Sequence, residues 1–282
     1  MRLGAPVFFQ TRDWAALARE HRRLGYGAAY CPEGLSLDNL EEVRAAEQAF
    51  AQEGVVIAEV GAWCNVLDPD AAKAATNRRY VAERLALADE LGARCCVNIL
   101  GSFRPDRWDG PFPEAYSQAF FDVSVEAYRE ILDAARPKRT FMTFETMPYY
   151  FLDSPEMYAA LLRAIDRPGA AAHVDLCNCV NTPRRLYNSA ALVEDTFRIL
   201  GPYIQSVHLK DIDLVQDGPP TAQFQEVLAG TGQMDLAALL RASASLGDLP
   251  VMLEHLPDEA SYLAARDNVL RIAQNAGLSF DN

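Results

Sequence analysis

The chain has 282 residues, half of them apolar, and a formal net charge of −13. That is enough apolar material for a large core. The acidic balance, with no Lys/Arg run, counts against duplex DNA, RNA and anionic membranes as partners.

Taken in chain order, eight β-rich runs are expected, at residues 4–9, 27–32, 55–63, 93–101, 139–146, 171–178, 204–212 and 250–256. Amphipathic helical segments lie between them. One starts at Asp13 and ends near Leu24-Gly25, and another starts near Leu37-Asp38. A long one follows Asp68-Pro69, with Pro69 at its first position. Later starts are Ser154-Pro155-Glu156, Asn188 or Ser189, Asp235, and Pro257-Asp258. Eight alternating βα units argue for a parallel sheet. Closed on itself, this is a single (β/α)8 TIM barrel over residues 1–282, a common length for that fold. A doubly wound sheet is the alternative, but it usually carries a Gly-rich turn after its first strand, and here that strand runs into FFQTRDW.

No apolar stretch reaches the eighteen residues of a membrane span, and MRLGAPVFFQTRDW has too short an apolar run for a signal peptide. A cytoplasmic protein is expected. The six cysteines have neither CxxC nor zinc-type spacing, and they read as reduced core residues.

The segment QSVHLKDID, 205–213, is the most informative. It ends a strand with three ionisable residues in four positions, and such groups are rarely buried unless paired or metal-bound. Alternate strand residues share a face. Val207 and Leu209 therefore face the helices, while Ser206, His208 and Lys210 point into the barrel. The same parity turns Glu145, Asp175 with His173, and Glu254 inward at the ends of the fifth, sixth and eighth runs. The first four runs offer less, chiefly Glu59, Trp63, Asn98 and Ser102. TIM-barrel active sites lie at the C-terminal ends of the strands. Three converging carboxylates repel one another, and with one imidazole they suit a divalent cation: Mn²⁺, Co²⁺, Mg²⁺ or Zn²⁺.

The ordered set Glu, HxD, HxKD, Glu resembles the xylose-isomerase-like TIM-barrel superfamily. FETMPYY, HVDLCNCVNTPRR, VHLKDI, GTGQMD and LEHLP are similar to its sugar phosphate isomerase/epimerase branch. The resemblance covers essentially the whole chain. It implies that Glu145, Asp175, His208 and Glu254 are metal ligands, and that Glu145 and Glu254 also act as acid and base. It implies a sugar isomerase or epimerase working through a metal-bound cis-enediolate on a small keto-sugar. A related lyase or dehydratase, acting on a keto-glycoside or an inosose, shares the first step. Two features depart from the ketose epimerases: Asn178 stands where they carry a His, and DIDLVQDG lacks their Arg. A DNA-repair endonuclease of this superfamily needs a His-rich site, and this chain has four His. A sugar-binding barrel without turnover is the non-enzymatic alternative. Relatives form homodimers or homotetramers, and some work with a small partner subunit.

Individual residues carry two readings each. Lys210 either stabilises an enediolate oxygen or only pairs with Asp211 or Glu254. His173 orients a ligand or touches a substrate hydroxyl. Trp63, Trp108 and Tyr149 are candidate sugar-stacking walls, and Asn178 is placed to contact substrate. By parity His255 faces outward, and His21 is expected to be solvated on the first helix.

Overall fold

The computed structural model describes residues 1–217 and 221–282. Eight parallel strands form one sheet: β1 (Arg2–Gly4), β2 (Ala28–Tyr30), β3 (Val56–Gly61), β4 (Cys95–Asn98), β5 (Phe141–Phe144), β6 (Ala172–Asp175), β7 (Ile204–Leu209) and β10 (Pro250–Leu253). A hairpin of β8 (Asp211–Leu214) and β9 (Phe224–Val227) stands outside it. The helices are α1 (Trp14–Arg23), α2 (Leu40–Gln52), α3 (Ala71–Leu91), α4 (Gln118–Ala135), α5 (Pro155–Ile165), α6 (Pro183–Tyr187), α7 (Ser189–Leu200), α8 (Leu236–Ser245) and α9 (Glu259–Asn275). The sheet order is β5-β4-β3-β2-β1-β10-β7-β6, so its two edges are consecutive strands of the chain. This is the expected (β/α)8 barrel.

Closure between β5 and β6 is of another kind. Among the described residues, Met142 carries the backbone bonds across the seam: its N–H donates to Gly169 O at 2.7 Å, and its carbonyl accepts from Ala171 N at 2.9 Å. Above it the Tyr158 hydroxyl of α5 takes the place of a ladder. It accepts from Phe144 N at 2.9 Å and from His173 N at 3.0 Å, and it donates to Phe144 O at 2.6 Å. Backbone groups that would be stranded inside the wall are thereby satisfied.

Helix starts follow their caps. Asp13, Ser154, Asp235 and Asp258 each accept from a backbone N–H of the first turn, and Pro155 occupies the first position of α5. The long α3 begins two residues later than expected. Asp70 caps it, accepting from Ala72 N and Lys73 N. The first strand also differs, ending at Gly4 rather than running to residue 9. Pro6 has no N–H to give a ladder.

Inside the barrel, Ala28, Ala58 and Met252 form a small apolar layer apart from the main core. Gly4 faces it, and a Cβ there would lie 2.7 Å from the Met252 methyl and 2.8 Å from the Ala28 carbonyl. Gly4→Val should therefore destabilise the fold by about 1–3 kcal/mol through overpacking, seen as a lower midpoint in urea unfolding. His21 is buried rather than solvated: its Nδ1 lies 3.0 Å from Leu17 O and its ring rests on Phe50. All six cysteines are free, and four are buried. No helix among the described residues is long and apolar enough to cross a membrane.

Candidate active site

Strand parity holds for all four ligand-bearing strands. Phe144 packs outward against Tyr128 and Tyr158 of α4 and α5. Glu145, one residue on, is therefore turned inward. Asp175 ends β6, His208 lies in β7, and Glu254 follows β10. The four side chains meet at the C-terminal ends of their strands, with one ligating atom of each within 4.8 Å of all the others. His208 Nδ1 is the hub, 3.0 Å from Glu254 Oε2, 3.4 Å from Glu145 Oε1 and 3.8 Å from Asp175 Oδ2.

Lys210 sits against this group, its Nζ 2.7 Å from Asp175 Oδ2, 3.2 Å from Glu226 Oε1 and 3.3 Å from Glu254 Oε2. The ion pair is thus with Asp175 and Glu254, not with Asp211. Asp211 has a different task. Its carboxylate accepts from the N–H groups of Ile212, Gly230, Gly232 and Met234 at 2.8–3.1 Å, and so shapes the GTGQM turn. A Cβ on Gly232 would lie 2.6 Å from the Ile212 carbonyl, which is why glycine stands there. Asn178 donates to Glu145 Oε1 and to Asp175 Oδ2, both at 3.1 Å. It is thus a direct neighbour of two carboxylates.

The electrostatics are those of a crowded buried site. Burial pushes the Glu145 carboxyl up, and Glu254 and Asp175 add to this against His208. Burial acts the same way on Glu254 and Asp175, but His208 and Lys210 outweigh it and hold both below the ordinary carboxylate range. Burial disfavours the His208 cation, yet Glu254 and Glu59 raise it well above its usual value. The two glutamates are thus pushed in opposite directions.

Two contributors carry weak sequence signals. Glu59 of β3 lies below the cluster, with His208 Nε2 at 3.1 Å and His173 Nε2 at 3.3 Å. It is one acidic residue in an apolar run, and parity alone gives it no partner. The hairpin is absent from the sequence expectation altogether. Its turn signal, DGPP at 217–220, falls partly outside the described residues, but the alternation in FQEV is readable. Glu226 on β9 contacts both Lys210 and His255.

His255 is at the surface, as one of its two outward readings has it, and it reaches the site as well. Half-exposed, it lies on the rim with Nδ1 3.0 Å from Glu226 Oε2 and Nε2 3.5 Å from Glu254 Oε1. Its φ of 57° is in the left-handed region, which costs a non-glycine residue about 1–3 kcal/mol. The aromatic candidates are not drawn together. Trp63 is largely exposed just past β3. Trp108 and Tyr149 are half-buried around Tyr150, whose hydroxyl donates to Trp108 O at 3.1 Å. Arg185 is used internally, donating to Cys179 O and Asp153 O.

A cavity of about 550 Å³ lies between the segments following β1 and β2. Phe9, Trp14, Tyr30 and Pro32 line it, with Arg12 and Glu33. Tyr30 separates it from the carboxylates: its ring is edge-on to His208 at 6.4 Å, and its hydroxyl donates to Leu253 O. A smaller space of about 200 Å³ reaches the other flank of Glu254, under the hairpin.

Residues 18–272 match the family model described as a xylose isomerase-like TIM barrel. The chain belongs to that family. Among solved structures it is similar to the apo 3-keto-D-glucoside 4-epimerase of E. coli (TM-score 0.69, 16% identity, 97% of this chain and 99% of that one covered). It is also similar to endonuclease IV of Thermus thermophilus (TM-score 0.70, 18% identity, 98% and 100% covered). A third is a xylose isomerase-like TIM-barrel protein of Mycobacterium smegmatis in complex with magnesium (TM-score 0.63, 19% identity, 93% and 89% covered). No curated protein sequence matches the chain. These structural likenesses speak for the fold, which epimerases, a probable dehydratase and an endonuclease share. Chemistry has to be argued from the site itself.

Proposed function

We propose that the protein is a divalent-metal-dependent sugar isomerase or epimerase acting on a small keto-sugar or keto-glycoside. The observation that carries this is the convergence of Glu145 and Glu254 on His208 Nδ1, with Asp175 completing a three-oxygen, one-nitrogen set. His208 Nδ1 and Glu254 Oε2 are buried and have no hydrogen-bond partner among the described residues. A cation resolves that deficit, and such a donor set suits Mn²⁺, Co²⁺, Mg²⁺ or Zn²⁺. The magnesium complex of a family member accords with this. When bound, the cation supplies Lewis-acid polarisation of the substrate carbonyl.

The remaining steps belong to the chain. Glu254, paired with the Lys210 ammonium at 3.3 Å, takes the proton α to the carbonyl and leaves an enediolate. Lys210 stabilises the developing charge on its oxygen. Glu145, the carboxyl that burial favours as the acid, returns a proton. Asn178 keeps Glu145 and Asp175 in register. Asn178→Ala is therefore expected to weaken metal binding roughly 10- to 100-fold, as loss of a group that orients ligands does. Titration of metal-stripped protein with Mn²⁺ measures it.

A second reading, elimination of a β-substituent from a keto-glycoside, shares the proton abstraction. Nucleic acid remains a poor fit for a chain of net charge −13.

The test is deuterium exchange in D₂O with a panel of keto-sugars and keto-glycosides, adding Mn²⁺ or Co²⁺ to metal-stripped protein. Metal-dependent labelling at one carbon is the expected result, and the labelled position tells isomerisation from epimerisation. Release of a substituent instead marks the lyase. Bound metal with no exchange and no release in any compound would overturn the proposal.

A further inference from the structure

Glu59 enters the barrel from β3 and meets β7, which lies four places away in the sheet order. The contact therefore crosses the barrel interior, below the ligand cluster. Its carboxylate is fully buried and accepts from Ser206 Oγ through Oε1. His208 Nε2 lies 3.1 Å from Oε2, and His173 Nε2 lies 3.3 Å from Oε1. Ser206 and His208 are two residues apart on one face of β7, so a single carboxylate holds both.

The chemistry of this contact is directional. An ionised carboxylate only accepts, so the hydrogen between Glu59 and His208 is carried by Nε2. An imidazole that ligates a cation is neutral and has one N–H. The lone pair is then on Nδ1, the atom that faces Glu254, Glu145 and Asp175 and has no hydrogen-bond partner among the described residues. We propose that Glu59 is a positioning residue: by accepting from His208 Nε2 it fixes the ring's tautomer and orientation, and so aims Nδ1 at the cation. This rests on the metal reading of the site and is independent of which sugar is turned over.

A competing arrangement is visible on the same residues. Glu59, His173 and His208 each offer a ligating atom within 4.8 Å of the others, and neither nitrogen of His173 has a hydrogen-bond partner among the described residues. A cation held there would make His208 a bridge between two ions, and the experiment must tell the two apart.

The full chain, labelled with ¹⁵N-histidine, is stripped of metal and loaded with Zn²⁺, which is diamagnetic. Long-range ¹H–¹⁵N spectra then report each ring nitrogen, with His208→Asn providing the assignment. Expected are one Zn²⁺ per chain, a proton on His208 Nε2, and zinc on Nδ1. In Glu59→Gln the Zn²⁺ affinity should fall roughly 10- to 100-fold, because an amide no longer imposes one tautomer. Zinc on Nε2, two Zn²⁺ per chain with both nitrogens metallated, or unchanged affinity in folded Glu59→Gln would each overturn the inference. The spectra of the unsubstituted chain decide it even where the variant does not fold. Failure to bind any Zn²⁺ would remove the metal reading itself, a result distinct from bound zinc on the wrong nitrogen.

Discussion

Glu254→Gln is expected to lower turnover by about 10³-fold or more, the scale on which removal of a general base and of a metal ligand acts. The amide keeps the shape of the side chain and cannot ionise. Two losses coincide at one atom. Oε2 is the carboxylate oxygen nearest His208 Nδ1, at 3.0 Å, and it also lies 3.3 Å from Lys210 Nζ. Steady-state rates at saturating metal isolate the proton-transfer loss, and metal titration reads the ligand loss. The adjacent position is the control. His255 touches Glu254 and Lys210 from the rim and is half-exposed, so His255→Gln should cost far less than Glu254→Gln. Equal losses at the two positions would mean that Glu254 is not the inward residue of β10.

Tyr158→Phe is expected to cost about 3 kcal/mol of stability or more. The hydroxyl is the partner of Phe144 N, His173 N and Phe144 O, and each buried polar group left without a partner costs about 1–3 kcal/mol. Ring volume is unchanged, so cavity formation adds nothing to the loss. Urea unfolding of the metal-free protein measures it. The seam borders the site, since Phe144 precedes Glu145 and His173 stands two residues before Asp175. The variant should therefore also bind metal more weakly. A variant as stable as the parent would show that water or a shifted backbone replaces the hydroxyl.

Much of this is legible in the sequence because strand parity is a strong constraint. A one-residue slip would turn Glu145, Asp175, His208 and Glu254 to the helices together, and outward apolar neighbours such as Phe144 and Val174 fix the register. Caps are equally readable at Asp13, Ser154, Asp235 and Asp258. What escapes the sequence depends on contacts between distant strands. Glu59 needs β3 and β7 brought across the barrel before it has a partner, and Glu226 needs the hairpin folded back over Lys210. His255 stands at the surface, but its contacts with Glu226 and Glu254 escape the sequence, because its positive φ takes it out of the strand geometry on which parity rests. Asp211 looks like part of the ionisable cluster, yet its four N–H partners arrive from one neighbouring residue and a turn about twenty residues away.

The joint closed by Tyr158 also divides the candidate ligands. Glu145 lies on the β5 side, while Asp175, His208 and Glu254 lie on the stretch that begins with β6. Because the two sheet edges are consecutive strands, parting them disturbs one βαβ unit and leaves seven strand pairings whole. Such a local opening needs far less free energy than global unfolding, yet it separates Glu145 from the other three carriers of the site. Ligand geometry is therefore tied to the integrity of that one joint, and whatever tightens it also preorganises the site.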